Sequence, residues 1–193
     1  MFDFSKTDNE KLEKILSAAT YIFSQYGYEK ASIADIATKA GISKSLIFYY
    51  FENKRNLYIS VLNYYIDLVS KKIKDNTDYY ETDFFNKAKS VLRIKIDLEN
   101  IYPYVFDFLR SIYYENTSEI FGESAMVNEK LCDTELYPVF HNSDHSKFRA
   151  DIDPDLILKT VFWCIDGYIK DLRKQNIIEI DAVCDEFNTK YLG

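Results

Sequence analysis

Apolar side chains recur at helical spacing along the N-terminal part of the chain. The first stripe predicts an amphipathic helix that starts near residue 9 and ends at Gly27. A second, shorter stripe follows, and Ile47 and Phe51 lie four residues apart in a third segment. The pattern predicts three helices that pack together through these faces: Leu12, Ile15, Leu16, Ala19, Ile22, Phe23 and Tyr26 in the first, and Ile33, Ile36, Ala37 and Ala40 in the second.

The second and third segments have the boundaries of a helix-turn-helix over residues 32–51. Ser32 is a good N-cap for the second helix, and Asp35 three residues later makes a near capping box. Gly41 suits a tight turn between helices, and Ser43 is a good N-cap for a third helix over residues 44–51.

The outward face of the third helix carries the candidate chemistry. If Ile47 and Phe51 face inward, six residues lie toward solvent or a partner: Lys44, Ser45, Leu46, Phe48, Tyr49 and Tyr50. Hydroxyl and ammonium groups donate hydrogen bonds to phosphate oxygens, and such contacts position a helix in a DNA groove. Such a face therefore suits double-stranded DNA as a partner. The alternative interpretation is that the tyrosines pack against the next helix.

The rest of the chain also shows helical patterns, so the predicted fold is all-α. Asn53 is a candidate N-cap for a long helix, which could transmit a rotation between two domains or merely join them. Pro103 and the pair Asp153 and Pro154 mark further boundaries. Other helices are predicted near residues 84–98, 104–113, 127–140, 154–174 and 181–192. We expect a three-helix helix-turn-helix domain at residues 1–52 and a larger helical domain at residues 53–193, whose role as effector-binding and dimerisation domain is implied by the family resemblance given below.

Charge divides unevenly along the 193 residues, whose net charge is -7. Residues 1–60 carry eight basic and seven acidic side chains, or +1, which leaves -8 for the remainder. A net charge of only +1 on residues 1–60 predicts modest non-specific DNA binding. The affinity for DNA would then depend on hydroxyl and backbone contacts. No run reaches the roughly 20 apolar residues of a membrane span, and the start lacks a signal-peptide core. We therefore expect a cytoplasmic protein with no membrane partner.

The sequence offers no constellation for catalysis or metal binding. Three scattered cysteines, Cys132, Cys164 and Cys184, suit reduced thiols better than a disulfide framework or zinc site. His141 and His145 fall in a segment that is typical of a loop. A glycine-rich phosphate loop, a nucleophile elbow and a histidine beside a nucleophile are all missing. We therefore expect that the protein is not an enzyme and that it has no catalytic residue, cofactor or bound metal.

The segment AGISKSLIFYYFENKRNLY, preceded by FSQYGYEKASIADIA, resembles the DNA-binding domain of the TetR family of transcriptional regulators. The resemblance is strong over residues 9–60, and beyond them only the layout of helices matches. It implies phosphate contacts from Ser32, Ser43, Tyr49, Tyr50 and Lys54, and groove contacts from Lys44, Ser45, Leu46 and Phe48. Phe48 stands where the family often has tyrosine, Tyr50 where it often has histidine, and Ser45 where it often has glycine.

The resemblance also implies a homodimer and a small-molecule effector. Helices 154–174 and 181–192 would pair with their copies in a four-helix bundle. Aromatic residues crowd positions 84–168, where they form either plain core or an effector pocket whose candidate lining is Phe108, Tyr113, Phe162, Trp163 and Asp166. The leading hypothesis is a repressor on a palindromic operator, released by a lipophilic or aromatic effector. The alternative is an all-helical small-molecule-binding dimer without DNA-binding activity.

Overall fold

The computed structural model describes residues 9–112, 115, 117, 119, 120, 122, 137–146, 148, 149, 151 and 153–174. The helices of this described part follow the predicted order, and they confirm the all-α class. They are α1 (Asn9–Lys30), α2 (Ile33–Ala40), α3 (Lys44–Phe51), α4 (Lys54–Asn76), α5 (Phe84–Ile101), α6 (Val105–Ser111), α7 (Tyr137–Phe140) and α8 (Pro154–Lys174). An isolated parallel β-bridge pairs Asp83 with Asp144.

The chain divides into two compact units that are not contiguous in sequence. The first unit comprises residues 1–71 and 102–134, and the second comprises residues 72–101 and 135–193. The helix-turn-helix therefore shares its unit with α6, which comes much later in the chain. The predicted domain boundary between residues 52 and 53 stays a prediction.

The first unit is built on α1, which packs against both α2 and α6, while α2 packs against α3. The predicted stripe of α1 faces inward except for Tyr26, which is 55% exposed, and its largest buried side chain is Phe23. The rings of Tyr58 and Phe108 lie 4.9 Å and 6.0 Å from that of Phe23, measured between centroids. Aromatic rings at such distances add to the stability gained by burying their surface. This cluster joins α1, α4 and α6 in one core.

Most predicted helix boundaries are confirmed, and two differ. The helix α1 runs on to Lys30, although Gly27 itself leaves the helical region at φ 70° and ψ 174°. The helix α6 begins at Val105, because Tyr104 takes a left-handed conformation at φ 71°. Of the helix predicted at residues 127–140, residues 137–140 are described. The helix predicted at residues 181–192 lies outside the described residues.

The second unit packs α5 against α7 and α8. Phe84 on α5 contacts the rings of Phe140 and Phe148 at centroid distances of 5.2 Å and 5.0 Å. Lys87 is buried on the same helix, and its ammonium donates to the side-chain carbonyl of Asn142. Burial lowers the pKa of Lys87, while the charges of Glu81 and Asp78 act in the opposite direction.

The apolar helix α8 differs from its prediction. Its composition predicts burial on more than one side, and Leu158 is indeed buried. Leu156 and Trp163, however, are 54% and 68% exposed. In the single chain, therefore, one apolar face of α8 is open to solvent.

None of the helices in the described ranges combines the length and apolar character needed to cross a membrane.

Candidate nucleic-acid interface

Two serine N-caps and one glycine turn fix the position of α3. The backbone N–H of Asp35 donates to Ser32 Oγ at 3.1 Å, and that of Leu46 donates to Ser43 Oγ at 3.2 Å. Gly41 closes α2 at φ 67°, and its backbone N–H bonds to the carbonyls of Ala37 and Thr38. Each serine satisfies a backbone donor that the first helical turn would otherwise leave unpaired. The predicted caps and turn are confirmed.

The inward and outward faces of α3 are divided as the sequence predicts. Ile47 and Phe51 are 0% and 2% exposed. On the other side Lys44 and Ser45 are exposed, and Phe48 and Tyr49 are 46% and 79% exposed. Leu46 and Tyr50 are half-buried. The burial of two apolar residues fixes which face of α3 stays open.

The two tyrosine rings of that face restrict one another's movement. The rings of Tyr49 and Tyr50 meet edge to face at 5.4 Å, and the ring of Tyr50 contacts that of Phe51 at 6.2 Å. Phe51 is part of the core, so Tyr50 is supported from inside the unit. Tyrosines held in this way can offer hydroxyl groups with little loss of side-chain freedom.

The two capping serines differ in what their hydroxyl protons do. Ser32 Oγ donates to the Asp35 carboxylate at 2.6 Å. Its proton is therefore engaged within the capping box, and a phosphate at this position would meet the N-terminus of α2 beside a carboxylate. Ser43 caps through its oxygen, and that arrangement is compatible with donation from its hydroxyl. From the sequence alone, both serines are equally good candidates for a phosphate contact.

Lys54, the remaining predicted phosphate contact, lies at the start of α4 and is half-buried. Its ammonium donates to the carbonyls of Tyr28, Glu29 and Ala31, at 2.9, 3.2 and 3.2 Å. It also lies 4.4 Å from the centroid of the Tyr28 ring.

A polar network around Tyr28 has no counterpart in the sequence analysis. The backbone N–H of Tyr28 donates to Glu115 Oε1 at 2.5 Å, and its hydroxyl donates to Glu119 Oε2 at 2.6 Å. Arg55 Nε donates to the carbonyl of Glu119 at 2.8 Å. Burial, and then the hydrogen bond to Glu119, raise the pKa of Tyr28. These partners are about ninety residues apart, as the separations of 87 and 91 positions show, and local patterns carry no signal of such pairs.

The predicted effector-pocket residues are distributed over both units. Phe108 is buried in the core of the first unit, where its ring contacts that of Tyr58 at 5.4 Å. In the second unit Phe162 is half-buried and contacts Phe140 at 5.8 Å, while Trp163 is exposed. Tyr113 and the side chain of Asp166 lie outside the described residues. The pocket stays a prediction.

Within the described ranges no cluster of three or more His, Cys, Asp or Glu residues is placed to hold a metal ion. Cys164 is a free, exposed thiol, and Cys132 and Cys184 lie outside the described residues.

Comparison with known proteins centres on the helix-turn-helix. Residues 15–61 match the family described as bacterial regulatory proteins, tetR family. The HTH-type transcriptional regulator RutR of Escherichia coli K12 is 36% identical over 101 residues, which are 51% of this chain and 46% of RutR. The chain thus spans about half the length of this curated relative.

Solved structures resemble the fold over a longer range. The fatty acid degradation regulator FadR of Bacillus halodurans matches with a TM-score of 0.61 and 20% identity, and the match covers 97% of each chain. The transcriptional regulator FadR of Bacillus subtilis, solved in complex with stearoyl-CoA, matches with a TM-score of 0.50 and 18% identity over 86% of this chain and 88% of that one. At such identities the likeness concerns the fold alone.

Proposed function

We propose, from the match of residues 15–61 to the tetR family of bacterial regulatory proteins, that the chain is a TetR-family regulator with the following function. It is a ligand-responsive DNA-binding transcriptional regulator, a repressor that acts as a homodimer on a palindromic operator. A small lipophilic or aromatic effector releases it from DNA. The observation that carries the proposal is the open face of α3, on which hydroxyls, an ammonium and aromatic rings stand over a buried apolar face.

In this proposal the outward residues of α3 divide by chemistry. Lys44, Ser45, Leu46 and Phe48 enter the major groove, while Ser32, Ser43, Tyr49 and Tyr50 contact phosphates. The phenyl ring of Phe48 cannot donate a hydrogen bond, so it suits apolar contact with a thymine methyl group. The half-buried Leu46 offers a second apolar contact. We therefore expect the operator half-site to contain thymine opposite this part of α3.

The homodimer would use the open apolar face of α8. Leu156 and Trp163 are seven positions apart and hence on one side of the helix, and the free thiol of Cys164 adjoins them. Tryptophan and other large apolar side chains are typical of the buried centre of an interface. A dimer would place two α3 helices on half-sites separated by about 34 to 36 Å, one turn of DNA, or a multiple of it.

The proposed effector is supported by apolar aromatic surface and by the fold. In the second unit Phe84, Phe85, Phe140, Phe148 and Phe162 form a contiguous set of ring contacts. The FadR protein of Bacillus subtilis, which shares the fold, was solved with stearoyl-CoA. Stearoyl-CoA and the lipophilic cation tetraphenylphosphonium are therefore suitable probes of two ligand classes, the second because aromatic faces attract cations.

Fluorescence anisotropy with the DNA that flanks the protein's own gene tests the DNA-binding part of the proposal. Lys44→Ala and Tyr49→Ala should each weaken specific binding by about 1 to 3 kcal/mol, because each removes one contact of the open face. Lys74→Ala and Tyr80→Ala are matched controls. Both change exposed residues of the same types outside the helix-turn-helix, and both should leave affinity unchanged.

Two results would contradict this assignment. Folded dimeric protein that shows no sequence-dependent binding at low salt, yet binds a probe ligand, would favour the small-molecule-binding dimer without DNA-binding activity. Operator binding that neither Lys44→Ala nor Tyr49→Ala weakens would show that another face docks on DNA. Release of bound DNA by either probe would support the effector class, and unchanged binding with both would contradict it.

A further inference from the structure

The inference concerns Lys54, and it rests on the proposed DNA-binding function. An ammonium group has three N–H donors and no acceptor. Three carbonyls lie within hydrogen-bond distance of Lys54 Nζ, so its donors have acceptors without any nucleic acid present. The remaining side of the charge lies over the Tyr28 ring, where a cation–π contact is favourable. A phosphate could take one of these donors only by displacing a carbonyl.

The three carbonyls that accept from Lys54 lie at the end of α1 and just beyond it. Tyr28 and Glu29 lie in the last turn of α1, where carbonyls have no partner within the helix. The negative end of the helix dipole favours a cation at the same place. Ala31 lies between α1 and the Ser32 cap of α2. The charge of Lys54 therefore stabilises the end of α1 and the chain that leaves it.

The acceptors are themselves fixed in position. The backbone N–H and the hydroxyl of Tyr28 are bound by Glu115 and Glu119, and its ring packs against Tyr58 at 5.1 Å. Tyr28 is therefore held on several sides, and its carbonyl and ring face are presented to Lys54 without further ordering. Binding to pre-ordered acceptors costs less side-chain entropy than binding to mobile ones.

The topological consequence is specific to the helix-turn-helix. Ala31 directly precedes the N-cap of α2, and Lys54 is the first residue of α4. The bond between them closes residues 31–54 into a loop that contains only α2, α3 and their turns. We propose that Lys54 is a positioning residue that fastens the two ends of the helix-turn-helix together and so sets the orientation of α3, and that it does not bind phosphate. The family resemblance alone implies the phosphate role.

The salt dependence of binding separates the two roles. Each lysine that neutralises a phosphate contributes about 0.9 to the slope of log affinity against log salt concentration. Lys44→Met and Lys54→Met change the charge of the protein equally, which makes Lys44→Met the matched control. An ammonium that lies in the groove between the phosphates, as proposed for Lys44, also displaces counterions, so Lys44→Met should reduce the slope by up to about 0.9 and leave the melting temperature unchanged. Lys54→Met should weaken binding about tenfold or more, with the slope changed by less than half as much as in Lys44→Met.

A second measurement needs no DNA and distinguishes a failure of this inference from a failure of the proposed function. Loss of hydrogen bonds to a charged group should lower the melting temperature of Lys54→Met by roughly 5 °C or more. Amide hydrogen exchange should accelerate at residues 28–36. If Lys54→Met does not fold, Lys54→Gln removes the charge and keeps a shorter N–H donor, and it takes its place in both measurements.

Each possible outcome either supports or overturns the proposed role of Lys54. A slope that falls as far in Lys54→Met as in Lys44→Met overturns the inference, whatever happens to stability. An unchanged melting temperature with unchanged exchange overturns it as well. Reduced stability, faster exchange and a slope that changes by less than half as much as in Lys44→Met support it. If the wild-type protein binds no DNA, the proposed function fails, and the stability and exchange measurements still decide whether Lys54 fastens the two ends.

Discussion

Gly27 shows how much one residue can decide within α1. It takes φ 70° and ψ 174°, a backbone conformation that is essentially confined to glycine. A Cβ atom at this position would lie 2.6 Å from Glu115 Oε1, the carboxylate oxygen that accepts the N–H of the next residue, Tyr28. Gly41 takes a similar φ of 67°, yet a Cβ atom there would meet nothing within 4 Å. The two glycines share a positive φ but differ in ψ, which is 174° at Gly27 and 33° at Gly41, and in their surroundings.

These surroundings give a prediction at the scale of single residues. Gly41→Ala should lower the free energy of unfolding by about 1 kcal/mol, the cost of a left-handed alanine. Gly27→Ala should cost about 2 to 3 kcal/mol, because its φ and ψ are nearly confined to glycine and because the new methyl group pushes the Glu115 carboxylate away from the N–H of Tyr28. Urea unfolding of both variants tests this. The double variant Gly27→Ala/Glu115→Ala should lose less than the sum of its single changes, and strict additivity would contradict the clash.

At the scale of elements, α3 depends on its cap for both stability and presentation. The helix has eight residues, from Lys44 to Phe51, with no acidic residue in its first turn. A helix so short is not stable alone and needs packing and capping. Ser43 supplies the cap, and Ile47 and Phe51 supply the packing. The absence of an acid in the first turn is consistent with an approach by phosphate, since the positive end of the helix dipole is left for an anion.

Ser43 allows the capping role to be separated from the DNA contact. Asparagine and aspartate cap helices about as well as serine, so Ser43→Asn and Ser43→Asp should change the free energy of unfolding by less than about 0.5 kcal/mol. Aspartate adds a negative charge where a phosphate would dock. We expect Ser43→Asp to weaken operator binding at least tenfold more than Ser43→Asn, measured by anisotropy at equal salt. Equal binding by the two variants would exclude a phosphate near this cap.

At the scale of the whole molecule, the open apolar face of α8 and the open polar face of α3 call for different partners. Trp163→Glu places a charge in the proposed dimer interface and should raise the dimer dissociation constant roughly 30-fold or more, the equivalent of at least 2 kcal/mol. Analytical ultracentrifugation measures this. Tyr80→Glu is the control, since Tyr80 is a fully solvated aromatic residue of the same unit. A stable Trp163→Glu dimer would place the interface elsewhere.

Buried tyrosines make a further property of the whole molecule predictable, its behaviour in alkali. Burial and the charge of Glu115 raise the pKa of Tyr58 above its ordinary 10.0. Burial, and then the hydrogen bond with Tyr102, raise that of Tyr64. A tyrosine with a raised pKa stays neutral in the folded chain while the unfolded chain ionises. Its contribution to stability is therefore complete below pH 10.0 and is lost as the pH rises further.

The variant Tyr58→Phe isolates this effect. Phenylalanine cannot ionise, so the urea midpoint of the variant should fall less between pH 9 and 11 than that of the wild-type protein, by the equivalent of about 1 kcal/mol or more. The opposite contribution of Lys87, whose pKa is lowered, is common to both proteins and cancels in the difference. Parallel pH profiles of the two proteins would show that Tyr58 ionises as easily in the folded state as in the unfolded one.

The sequence by itself determined the helices of the first unit, their caps and the division of α3 into a buried and an open face. These features depend on neighbours within about four positions, so periodicity and capping chemistry identify them. Local patterns could not indicate that Lys54 would bind the end of α1, that Glu115 and Glu119 would meet Tyr28, or that one side of α8 would stay open. Those outcomes depend on contacts between distant segments, and only the tertiary structure decides which polar groups already have partners and which remain for DNA.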